Sequence, residues 1–163
     1  MVREIVSNTG PMISLERLTH GFEFIRKLYD KIIIPEAVLR ELAENNFTVH
    51  ADYLKYHGIA DLVEVKPVLQ LSAIPNLNRL DEGEKHAISL ADQLSLSLLI
   101  EETMGRQIAS AAGLHISGIA GQILKAFNDG LIPKAETEQK LRELYNTGRI
   151  NRKILNSLLT TLK

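Results

Sequence analysis

Cysteine is absent from the 163 residues, which excludes disulfides and thiolate metal sites and suits a reducing cytoplasm. Aromatic residues make up only 5%, leaving little for stacking on nucleic-acid bases. Net charge is −1, so no global field draws in a polyanion. Binding to RNA or DNA would have to rest on a local basic patch or on metal ions held by carboxylates. No apolar run approaches the length of a membrane span, and MVREIVSNTGP lacks the apolar stretch of a signal peptide. The expectation is a cytoplasmic protein with no membrane partner. Repeats, low-complexity tracts and linkers are also missing. The remainder, 45% hydrophobic and 24% charged, is the composition of a soluble globular protein, and residues 1–163 are expected to form a single domain.

The stretch LDEGEKHAISLADQLSLSLLIEETMGR, Leu80 to Arg106, reads as helix, short buried strand and the opening turn of another helix. Asp81 is placed to cap the first helix, and Glu84 stands three residues on, the spacing of a capping box. Leu98–Ile100 is an apolar run without alternation, as in a strand covered on both faces, and it stops at Glu101 and Glu102. Before it, Glu4–Ser7 extends from Val2 as a first strand. Pro11 then suits the first turn of a helix that Thr9 would cap. Ile32–Ile33–Ile34 is a second strand closed by Pro35, from which a helix runs to about Asn45. Leu62–Val65 reads as a third strand nearer an edge, and Leu114–Ile119 as a fifth. Helices are expected over Thr103–Ala112, Ala120–Asn128 and Pro133–Tyr145, with a last one capped by Asn151. Strands separated by helices imply an α/β fold, a parallel sheet of four to five strands with helices on both faces. The helices of residues 134–163 carry apolar faces that either close the fold or pair two subunits.

Several acidic or amide residues recur at related places. On an ideal helix Glu84 lies about 40° from Ile88, on the apolar arc, where an unpaired carboxylate needs a cation, a proton or several donors. The alternative is that Glu84 merely completes the cap with Asp81. Glu41 borders the apolar arc of its helix at about 60° from Val38, although helix-edge glutamates are commonly solvated. Asn8 follows the first strand, and Glu101–Glu102 ends the fourth. Ligands of open parallel sheets bind beyond the carboxyl ends of the strands. Oxygen ligands gathered there suit Mg2+ or Mn2+, which can generate a hydroxide nucleophile and stabilise the charge of a phosphodiester under in-line attack. The five histidines show no metal-ligand spacing, and Lys125, Lys134 and Lys140 read as scattered solvated lysines.

IVSNTGPMISLERL, IIIPEAVLREL, LDEGEKHAISLADQL, LLIEETMGRQIA and LHISGIAGQILKAFNDGLIP, in this order and spacing, resemble the PIN domain, and more narrowly the small prokaryotic proteins related to VapC-type toxins. The resemblance covers roughly residues 2–135. It implies a three-layer α/β/α PIN-like fold and a Mg2+- or Mn2+-dependent ribonuclease working through three or four acidic residues. It further implies RNA as substrate, a small antitoxin as partner, and a homodimer. Carried over by position, Asn8 matches the first acidic position, Glu41 the acid after the second strand, Glu84 the acid of GEKHAI, and Glu101 with Glu102 the pair after the fourth strand. Catalysis is assigned to Glu41, Glu84 and Glu101, and metal binding to those three with Asn8 and Glu102. Thr9 matches a small hydroxyl residue near the metal. Arg106 either contacts a phosphate or pairs with Glu102 one turn back. Two departures stand out: Asn8 brings no negative charge, and the Glu101–Glu102 pair is longer than the commoner Asp. The leading expectation is therefore a metal-dependent endoribonuclease of the VapC-like toxin type. The alternative is a degenerate, non-cleaving PIN domain that binds RNA or a protein. A phosphotransfer receiver-like domain is disfavoured, because it would need an aspartate at the end of a central strand.

Overall fold

The computed structural model describes residues 1–162; Lys163, the last residue of the expected C-terminal helical segment, lies outside them. β-branched runs build the sheet. Ile32, Ile33 and Ile34 of β2 (Lys31–Pro35) are buried, as are Ile5 and Val6 of β1 (Glu4–Ser7). These residues fit a pleated surface covered on both sides. β2 pairs with β3 (Val63–Lys66) on its outer side, β1 with β4 (Leu98–Leu99), and β4 with β5 (Ile116–Ser117). All four pairings are parallel, in the order β3-β2-β1-β4-β5. The third strand is therefore an edge strand, as its sequence suggested. The fifth is two residues long rather than six, and Ile100 lies just past the fourth while its amide still bonds Ser117.

The chain winds outward from β1 to β3, then crosses back to β4 on the other side of β1. The topological switch thus falls between β1 and β4, where ligands of open α/β sheets gather. Nine α-helices are found among the described residues, and with the sheet they make a three-layer α/β/α architecture. After β1 comes α1 (Thr9–Arg17), after β2 comes α3 (Glu36–Ala43), and α5 (Glu82–Leu94) makes the return crossover. α6 (Thr103–Ala111) joins β4 to β5, and α7 (Ile119–Asn128) follows β5. Two short helices, α2 (Gly21–Ile25) and α4 (Asp52–Tyr56), fill the connections on the β2–β3 side. No described helix is long and apolar enough to cross a membrane.

α8 (Lys134–Asn146) and α9 (Arg152–Thr161) complete the fold. Asn151 Oδ1 accepts from the Ile154 amide at 2.8 Å, the cap read from the sequence. Leu141 and Leu144 are fully buried and Leu155 nearly so, whereas Ile154 is 43% exposed. The inner faces of both helices therefore pack against the chain's own core. Of the lysines read as solvated, Lys140 is buried: its Nζ lies over the Phe24 ring, 3.3 Å from the Thr19 carbonyl, so its long stem packs inward.

Candidate functional site at the sheet rim

Asn8, Glu84, Glu101 and Glu102 stand at helix starts and strand ends, and Glu41, in the last turn of α3, reaches Thr9 and Gly83 from the side. Asn8 is the N-cap residue of α1, held by its amide on the Leu99 carbonyl of β4 at 2.9 Å. It is 3% exposed, and its Oδ1 has no hydrogen-bond partner. Thr9 is not the cap expected from the sequence. It is the first helical residue, and its hydroxyl donates to Glu41 Oε2 on α3. The reason is positional: Asn8 already holds the extended backbone of the cap, which leaves the Thr9 side chain free to reach across.

Asp81 caps α5 by accepting from the Glu84 amide at 2.9 Å. Glu84 is 8% exposed, and its Oε2 is the second buried oxygen without a partner. Burial, with the adjacent Asp81 and then Glu102, pushes its carboxyl up to about 7. Burial also raises the Glu41 carboxyl, and the charges of Asp81 and Glu82 add to the rise against the Thr9 hydrogen bond. Two glycines make room for these carboxylates. A Cβ on Gly83 would stand 2.3 Å from Glu41 Oε1, and one on Gly105 would stand 2.6 Å from Glu84 Oε2.

Glu101 is turned differently. Its Oε1 accepts from Ser14 Oγ at 2.8 Å and from Arg149 Nη2 at 3.2 Å, and its Oε2 accepts from the Ile119 amide at 3.1 Å. Glu102 is the exposed N-cap of α6, close enough to raise the Glu84 carboxyl. Arg106 does not pair with Glu102. Its Nη1 donates to the Ile100 carbonyl at 2.8 Å, so the strand's free carbonyl outcompetes an exposed carboxylate for the guanidinium. Arg106, Arg149, Glu101 and Ser117 line a cavity of about 420 Å3.

Asn8 and Glu41 thus flank the first turn of α1, Glu84 and Glu102 face the start of α6, and Glu101 lies across Gly10 from Thr9. Sequence reasoning missed three residues here. Asp81 was read only as a cap, although its charge acts on both Glu41 and Glu84. Ser14 and Arg149 carried no signal, because their contacts with Glu101 span 87 and 48 residues.

Oxygen-only donors, two of them buried and unpartnered, fit a hard divalent cation that keeps several waters. Among the described residues no group of three or more His, Asp or Glu side chains stands arranged to hold an ion. The rim therefore holds no closed carboxylate cage, and Asn8 Oδ1 and Glu84 Oε2 are its two buried oxygens without a partner.

A PIN-domain family model matches residues 4–163, and the chain belongs to the PIN domain family. Among solved structures it is similar to a PilT N-terminus domain protein from the hyperthermophilic archaeon Sulfolobus solfataricus P2. That match has 19% identity and a TM-score of 0.45, covering 71% of this chain and 87% of that one. It is also similar to a domain of a functionally unknown protein from Methanocaldococcus jannaschii DSM 2661, with 18% identity and a TM-score of 0.43 over 71% and 90% of the two chains. No curated protein matches.

Proposed function

We propose that the chain is a metal-dependent endoribonuclease of the VapC-like type, with Asn8, Glu41 and Glu84 as its working residues and Glu101 and Glu102 beside them at the sheet rim. The observation that carries this reading is the pair of buried, unpartnered oxygens, Asn8 Oδ1 and Glu84 Oε2, at the sheet's switch point in a PIN domain. A buried carboxylate without a donor costs several kcal/mol when charged, and a ligand that neutralises it removes that cost. Bound Mg2+ or Mn2+ would supply an activated water and a counter-charge for the phosphodiester. Asn8 and Glu84 would hold the ion. Glu41, which accepts from the Thr9 hydroxyl, would accept a proton, and Arg106, which lines the cavity beside Glu101, would hold an RNA phosphate. The test is structured RNA with Mn2+, native protein against Glu84→Gln. Cleavage should fall at least 100-fold in the variant; equal cleavage by both, or none with any metal, rejects the proposal.

A second reading, a PIN domain that binds without cutting, is favoured by two specific observations. Asn8 contributes no charge, and Glu101 is already paired with Arg149. Calorimetric titration with Mn2+ separates the two, since a lapsed site gives no heat that depends on Glu41 and Glu84. The toxin role adds a small antitoxin as partner, and the family likeness adds a homodimer. With Leu141, Leu144 and Leu155 in the core, pairing through α9 would have to use its outer face around Ile154. Light scattering after size-exclusion chromatography reads this directly.

A further inference from the structure

Both oxygens of Glu101 are satisfied within the chain, unlike those of Asn8 and Glu84. Arg149 makes one of the three bonds and is the charged partner among them. Its Nη2 reaches Glu101 Oε1 and also donates to the Gly10 carbonyl at 3.1 Å, while its Nε donates to Ser14 Oγ at 2.9 Å. The two paired side chains are only 25% and 21% exposed. A cation recruiting Glu101 would have to break a charge-assisted, partly desolvated pair, whereas Asn8 and Glu84 offer oxygens that nothing else holds. The loop that carries Arg149 is itself fixed. Its amide donates to the Leu144 carbonyl at 2.7 Å as α8 ends, and Gly148 takes the positive φ of 78° that the turn requires.

We propose that Arg149 is a built-in cation that withholds Glu101 from the metal, so that a divalent ion is held on the Asn8–Glu84 side of the rim alone. The inference rests on the nuclease reading for the ion's presence, but its content is the division of labour between the carboxylates. An amide at position 8 and a paired Glu101 together leave the rim poor in free negative charge, which matches one divalent ion better than two. The pairing is set by the position of the α8–α9 loop, which brings Arg149 to Glu101, Ser14 and Gly10.

The test is Mn2+ binding by calorimetry to the full chain, with thermal melting in EDTA as the fold control. Glu101→Gln should leave the Mn2+ dissociation constant within twofold of native, while Glu84→Gln should weaken it at least tenfold. Arg149→Met should tighten Mn2+ binding about fivefold or more, or add a second equivalent, and Glu101→Gln placed on top should cancel that gain. Arg149→Lys keeps a cation there and should stay near native, so it carries the test if Arg149→Met does not fold. A purely structural ion pair would lower the melting temperature in Arg149→Met but leave Mn2+ affinity untouched, and that result overturns the proposal. So does a tenfold loss of affinity in Glu101→Gln alone. Loss of Mn2+ binding in Glu84→Gln with no response to Arg149 sinks this inference and spares the nuclease reading. Mn2+ binding that appears only after Arg149→Met supports the withholding of Glu101 but overturns the Asn8–Glu84 ion and counts against the native site as a nuclease. No binding in any variant overturns both.

Discussion

Glu84 holds a proton more tightly in the fold than in the unfolded chain, because burial and the neighbouring Asp81 raise its carboxyl from 4.5 to about 7. A raised carboxyl contributes stability that is complete below about 4.5 and is lost as the pH climbs through about 7. The shift corresponds to about 3 kcal/mol, a large share of the 5–15 kcal/mol typical of a domain. In EDTA, urea unfolding should therefore show Glu84→Gln close to native at pH 4 and more stable than native by about 2 kcal/mol or more at pH 8. A variant equally stable or less stable at pH 8 would mean that the charged carboxylate has partners the structure does not contain. If Glu84 holds the proposed ion, the same linkage should make Mn2+ affinity, read by calorimetry, fall as the pH drops below 7, where protons compete for that carboxyl. Asp81 acts in two directions. Its cap on α5 is worth about 1 kcal/mol, yet its charge works against Glu84. Asp81→Asn keeps an oxygen on the Glu84 amide and removes the repulsion, so carbon-13 titration should find the Glu84 carboxyl lower than in the native chain.

Two close approaches at the level of elements depend on glycine. A Cβ on Gly21 would lie 1.9 Å from the Leu15 carbonyl oxygen, where α1 ends and α2 begins. Backbone cannot yield there as a side chain can, so Gly21→Ala should cost about 2 kcal/mol or more in urea unfolding. Gly105 is different, because its Cβ would meet only the ends of Glu84 and Ile100. Gly105→Ala should keep the fold but displace the Glu84 carboxylate, weakening Mn2+ binding several-fold with little change in melting temperature. Unchanged Mn2+ binding would remove Glu84 from the site. These contrasts also mark what a sequence can disclose. The apolar runs at Ile5–Val6, Ile32–Ile34 and Leu98–Leu99 encode their own strands, and Asp81 and Asn151 encode their own caps, since each signal is local. Glu84 was legible too, because a carboxylate on an apolar helical arc conflicts with its surroundings. Thr9, Arg106 and Glu101 were legible as residues of interest but not in their contacts. Each has several possible polar partners, and the fold, not the local pattern, selects Glu41, the Ile100 carbonyl and Arg149.

Across the whole molecule, the segment after Thr147 does two things at once: it closes the core and carries a charge to the rim. Leu155 and Leu162 are each about 95% buried, and removing both from the interior forfeits about 4 kcal/mol at ordinary burial values. Ending the chain at Thr147 should thus lower the urea midpoint sharply while leaving the five-stranded sheet, whose strands all precede Gly118, able to form. If α9 served only to pair subunits, the same truncation would halve the mass seen by light scattering and leave the midpoint of the monomer in place. The burial of Leu155 and Leu162 argues for the first outcome, since truncation removes both from the core, while Ile154 and the half-buried Leu158 and Leu159 are what a dimer could still use. A shortened chain that melts like the native one would reverse that assignment and leave Arg149 as the only reason for the segment to reach the sheet.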